Sequence, residues 1–180
     1  MNRRDHLKNF IKDANGEYHY AGDYYVLKGD KARAMSASLF FSVLTEILLI
    51  VAGLFPAGGV MDTWYVIIPY GVSVVLGGVI IYRTSQWVKG HGEITEFVHE
   101  KSIVKMPANR KAMMIVLGAA FLGEVIWLLI HGKGYYFAGS ILFLFCVGDA
   151  LLLQITALRS EQKLEWVREV QTDREEQQRD

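Results

Sequence analysis

Four long stretches of this chain are nearly free of charge, and that limits its fold more than any other feature. Between Arg33 and Asp62 the only formally charged side chain is Glu46. Between Asp62 and Arg83 there is none, between Lys111 and Lys133 only Glu124, and between Lys133 and Arg159 only Asp149. A helix needs about 20 mostly apolar residues to cross a bilayer core, and each window supplies them. The helices of a soluble bundle carry a polar stripe, which all four windows lack. Hydrophobic residues make up 52% of the chain, close enough to soluble proteins that their distribution, not their total, carries the argument. The pattern predicts an all-α integral membrane protein, a four-transmembrane-helix bundle built from two similar helical hairpins.

The spans are expected over 34–54, 64–82, 112–131 and 135–158, within a transmembrane domain of residues 34–158. Basic residues set the orientation. Seven Lys/Arg precede Ala34, six lie in the loop 83–111, five follow Leu158, and only Lys133 falls between the spans on the other side. The positive-inside rule then places the segment 1–33, the loop 83–111 and the charged helix or tail 159–180 in the cytoplasm, in a multi-pass protein of the plasma (inner) membrane. The first apolar stretch starts too far along the chain for a cleaved signal peptide and is expected to be an uncleaved span. The net charge is zero, which gives no reason to expect a nucleic-acid partner.

The cytoplasmic segments carry weaker signals. Leu7, Phe10 and Ile11 share one side of a short basic amphipathic helix ending near Asn15-Gly16. Glu17–Leu27, rich in tyrosine and punctuated by turns, reads as a small hairpin or extended segment at headgroup level. Glu93–Glu100 has the apolar spacing of one short amphipathic helix. The fourth span is expected to continue into the tail as a helix through Leu164, Val167 and Val170. Trp64, Tyr65, Tyr82 and Trp87 mark the interfaces, and Pro69 is placed to bend the second span.

The two halves also resemble each other. With Arg33-Ala34-Met35 set over Lys111-Ala112-Met113, Glu46 falls over Glu124 without a gap. Aligning Trp64-Tyr65 with Tyr135-Tyr136 puts Gly77-Gly78 over Gly148-Asp149. Both halves enter from one side, which makes a parallel repeat; such halves meet about an axis along the membrane normal.

Function is expected at the intramembrane acids. Glu46 and Glu124 each lie thirteen residues beyond a base, about 20 Å into the membrane at helical rise. Asp149 lies ten residues before Arg159, about 15 Å from the same interface. The three are thus expected within about one helical turn of each other in depth, with Glu46 facing Glu124 across the bundle axis. An ionised carboxylate in hydrocarbon costs at least a few kcal/mol, so each must be protonated, hydrated or paired with a cation. A cluster of this kind can exchange a proton for a cation, and Trp127, three residues after Glu124, can offer a ring to an organic one. The expected substrate- or ion-binding residues are Glu46, Glu124, Asp149 and Trp127, in a small protein for proton-linked cation binding or transport. The alternative is a non-catalytic accessory or structural subunit whose acids meet the helices of a homo-oligomer or a larger membrane-protein partner.

Other chemistries have less behind them. The single cysteine, Cys146, excludes a disulfide framework and a Cys-based metal site. His91, Glu93, His99 and Glu100 match no standard ligand spacing and read as a solvated loop. His131 is the only histidine in a span, which leaves haem without its axial pair. No nucleophile elbow, phosphate loop or zinc-protease motif occurs, so neither an enzymatic role nor a cofactor is expected. The segment Phe121-Leu122-Gly123-Glu124-Val125-Ile126 resembles the first helix of small multidrug-resistance exporters, four-helix proteins that use one membrane glutamate per subunit. The likeness covers six residues of 180, here on the third span with a second glutamate on the first. What it implies is an analogy of carboxylate chemistry, not kinship.

Overall fold

The computed structural model describes residues 10–12, 18–20, 22–28, 31–89, 93–132 and 134–169. It is mostly helical, and four of its helices are long and apolar enough to cross a membrane. We label the helices α1 (Lys31–Ala52), α2 (Gly58–Asp62), α3 (Trp64–Lys89), α4 (Met106–His131) and α5 (Phe137–Glu161). Five short strands accompany them: β1 (Phe10–Lys12), β2 (Tyr18–Tyr20), β3 (Tyr24–Leu27), β4 (Glu93–Thr95) and β5 (Trp166–Glu169). A helical turn, Glu96–Val98, follows β4 and widens into a π-helical turn at His99–Ile103.

Each long helix packs on two others, in the cyclic order α1, α3, α4, α5. Their buried faces repeat every three or four residues. Ser38, Ser42, Thr45, Leu49 and Ala52 face inward from α1, and Ser73, Gly77, Ile80, Thr84 and Trp87 from α3. The matching rows are Met113, Leu117, Ala120, Glu124 and Trp127 on α4, and Phe143, Val147, Ala150, Gln154 and Ala157 on α5. This spacing is that of helices crossing at a shallow angle, with side chains of one helix seated between those of the next. Small residues dominate the rows of α1 and α3, which suits helices that associate without help from the hydrophobic effect. The outward faces are large and apolar, with Ile115, Leu129, Phe145 and Val75 among the exposed side chains.

The two hairpins close differently. In the first, the chain leaves α1, passes Pro56 and folds into the short α2 before α3 begins. In the second, Gly132 ends α4 at φ 65°, a conformation that would strain a residue with a Cβ.

At the opposite end, β3 pairs antiparallel with both β4 and β5. One sheet therefore joins the segment before α1, the loop after α3 and the segment after α5, and all three lie at one end of the bundle. Leu27, Met35 and Trp87 form a small core beneath it, with Trp166 packed alongside. The Trp87 and Trp166 ring centroids stand 5.7 Å apart. His99 stacks on Tyr25 at 3.9 Å between centroids.

Several expectations change here. Trp87 is buried under the sheet, not spread along an interface. The expected helical continuation of the fourth span stops at Glu161, and Leu164 and Val167 instead enter a sheet-forming segment; Val170 lies outside the described residues. The expected N-terminal amphipathic helix falls mostly outside them as well, and its Phe10–Lys12 part is a strand paired with Tyr18–Tyr20. The segment 93–100 is half strand and half helix, because β4 finds a partner in β3 that its own sequence does not reveal.

Val26 lies opposite Val167 in the sheet, a spacing within reach of a disulfide. In a Cys146→Ser background, Val26→Cys with Val167→Cys should therefore oxidise to an intramolecular crosslink in native membranes. Mass spectrometry would report two thiols lost in the pair and none in either single variant.

Candidate functional site

The most heavily bonded polar group in the bundle is Arg110, on the first turns of α4. Its guanidinium is fully buried. Nε donates to Glu161 Oε2 and Nη2 to Glu161 Oε1, each at 2.7 Å. Nη1 donates to Gln154 Oε1 at 2.7 Å, and Nη2 also reaches Ser42 Oγ at 3.0 Å. Ser38 Oγ donates to Glu161 Oε1 at 2.6 Å, and Gln154 Nε2 to Thr45 Oγ1 at 3.1 Å. The two-pronged geometry of Arg110 on Glu161 is the strong form of a carboxylate ion pair. The network ties α1, α4 and α5 together near the sheet end. Sequence reasoning counted Arg110 as a loop base and Glu161 as a tail acid, and missed it; the serines and threonine at helical spacing on α1, together with Gln154 on α5, are the signal that points to a buried polar partner.

The intramembrane acids are not brought together. Glu124 is fully buried at the hairpin end, where its Oε1 accepts the Gly59 N–H at 3.1 Å. Beside it the Gly58 N–H donates to Ser140 Oγ at 3.0 Å. These two side chains satisfy free amides of the short α2, which passes so close that a Cβ on Gly59 would collide with Glu124 and one on Gly58 with Trp127. Trp127 in turn stacks on His131 at 4.5 Å between centroids, so one ring face and one edge are already occupied. Glu124 Oε2 and Trp127 Nε1 have no hydrogen-bond partner among the described residues.

Glu46 sits elsewhere. Its Oε2 is shielded and without a hydrogen-bond partner among the described residues. It lies against Gly77 of α3, where a Cβ would collide with it and would also stand 3.4 Å from Met113 Cε. Glu124 lies level with Val66 of α3, since both crowd the same glycine. From Val66 to Gly77 is about 16 Å along a helix. The expected shared layer of acids is thus absent, and Glu46 and Glu124 occupy separate depths. The reason lies in Arg110: its guanidinium bonds Ser38 and Ser42, five and nine residues beyond Arg33. Because this base is drawn into the bundle, α4 is offset toward the hairpin end relative to α1, and Arg33 and Lys111 do not mark one interface.

Asp149 joins neither carboxylate. It is exposed on the outer face of α5, since the inward row of that helix runs through Val147 and Ala150 and passes it by. It borders two shallow apolar grooves, one of about 600 Å³ beside Phe121 and Phe145 and one of about 370 Å³ beside Leu44 and Leu48. Near the sheet, the Asp23 carboxylate accepts a hydrogen bond from Arg168 Nε at 2.6 Å and holds that guanidinium above its ordinary pKa. Comparison with protein-family models, with curated proteins and with solved structures finds no match to this chain.

Removing one member of a buried ion pair strands the other. Arg110→Met should lower stability by about 3–5 kcal/mol. Arg110→Met with Glu161→Met should lose less than the single variant, which thermal unfolding in detergent would show as a higher melting temperature for the pair.

Proposed function

We propose that this chain is a non-catalytic accessory subunit of the plasma (inner) membrane, its sheet end in the cytoplasm, which docks α5 onto a transmembrane helix of another protein through Asp149. The observation that carries this reading is the outward position of Asp149 among apolar side chains. Leu142, Phe145, Asp149, Leu152 and Thr156 are all exposed and recur at intervals of three and four, which makes one continuous seam along α5. A carboxylate facing hydrocarbon is costly and calls for a partner. Charge complementarity selects that partner: a helix with Lys or Arg at mid-membrane depth. A second copy of this chain packed through the same seam in the same orientation would set Asp149 against Asp149, and from Leu142 to Thr156 that seam carries no base.

Cation binding is the second reading, reduced from a shared cluster to a single carboxylate. It rests on Glu46 Oε2, shielded from solvent without a partner beside Gly77. Glu124 supports it less, because one of its oxygens already serves the backbone of α2.

A synthetic polyleucine helix with one central lysine tests the docking reading in nanodiscs by fluorescence energy transfer. Wild-type protein should bind it roughly 3- to 30-fold more tightly than Asp149→Leu, the range expected of one polar contact between membrane helices. Equal binding by both proteins, together with a cation-dependent rise in melting temperature that Glu46→Gln abolishes, would replace docking with the cation reading.

A further inference from the structure

At the sheet end of α3 a cavity of about 330 Å³ opens between that helix and the turn 97–102. Tyr82, Arg83 and Gln86 line it from α3, and Lys101 and Ser102 from the facing turn. Every one of these side chains can donate a hydrogen bond, and among the described residues no Asp or Glu lines the space. Arg83 Nη1 is hidden from solvent yet has no hydrogen-bond partner among the described residues. A shielded guanidinium nitrogen without an acceptor is costly, and an anion would relieve it. Lys101 lies 5.2 Å from the centre of the Phe97 ring, which steadies its ammonium on the same rim. Lys101 and Ser102 belong to the π-helical turn, a widened geometry that often marks functional positions.

The surroundings say what kind of anion fits. Arg83 stands nineteen residues beyond Trp64, the start of α3, about 28 Å along the helix and thus at the far side of a bilayer core. Tyr82 is 65% exposed beside it, at the depth where amphipathic rings collect. The floor of the cavity is Val79, and Val75 and Val72 continue the same exposed apolar face toward mid-membrane. A phosphate held by Arg83 and Lys101 would therefore have a path for acyl chains directly beneath it. We infer that this cavity binds the phosphate of an anionic membrane lipid, with Arg83 and Lys101 as its charged donors and Gln86 and Ser102 as neutral ones. The chemistry is shared with free phosphate; the valine track favours the lipid.

The test uses the whole protein in nanodiscs of phosphatidylcholine, with and without phosphatidylglycerol, and separately in detergent with inorganic phosphate. Phosphatidylglycerol should raise the melting temperature, and its apparent affinity should fall roughly tenfold in Arg83→Gln and again in Lys101→Gln. Lys163→Gln removes an exposed charge at the same end and should bind as the wild type does. Lys101 is exposed, so its variant remains informative if Arg83→Gln does not fold. An equal loss in Lys163→Gln would overturn the site in favour of general surface attraction. A shift with inorganic phosphate, and none with phosphatidylglycerol, would overturn the lipid assignment.

Discussion

A guanidinium without contact with water sets the terms for the rest of this bundle. Burial of the Arg110 guanidinium is tolerable only where acceptors surround it. Glu161 supplies two oxygens, Gln154 one, and Ser42 another. Those acceptors come from α5 and α1, which fixes the rotation and the axial setting of three helices at once. The sheet then closes over the same end. Trp87 and Trp166 roof the space beside Glu161, and β5 follows α5 after only a short turn. Polar bonding inside and strand pairing outside thereby hold the same segments.

The axial offset carries into the hairpin end. With α1 set low against α4, the chain leaves α1 at Ala52 while α4 runs on to His131. The intervening segment fills that space as α2, and its free amides find Ser140 and Glu124. Glu124 thus acts as an anchor for a short helix as well as an acid in the membrane. Glu46 lies below this segment and meets Gly77 instead, where the missing side chain makes room for the carboxyl group. Two glutamates that each lie thirteen residues beyond a base consequently have unlike neighbours.

The spans were legible because charge is costly in lipid, and the four charge-poor windows record that cost directly. The gathering of three base-rich segments at one end was legible too, since alternating crossings leave no other arrangement. The strands were not. Glu93–Thr95 and Trp166–Glu169 each acquire a partner only when distant segments meet at β3, and three- or four-residue strands carry little periodicity of their own. Depth is hidden for a related reason: Lys111 follows the buried Arg110, which is level with Ser38 and Ser42 of α1 and not with Arg33, so the two bases do not stand at one depth. Only the spacing of Ser38, Ser42 and Thr45 with Gln154 hinted that a charge was being drawn inward.

The inward polar side chains fall into two kinds. Those around Arg110 bond one another, and others leave single atoms without a hydrogen-bond partner among the described residues, Glu46 Oε2, Glu124 Oε2 and Trp87 Nε1 among them. Asp149 differs from both, because it is exposed on the outward face of α5. Structural acids in a bundle face neighbouring helices and earn their place there through hydrogen bonds; an acid that faces away gains nothing from the fold that carries it. The proposed docking of a partner helix is one way to offset its cost in lipid. The seam around Asp149, from Leu142 to Thr156, has the spacing by which one helix receives another. The outward position of this one carboxylate is what the docking we propose would explain.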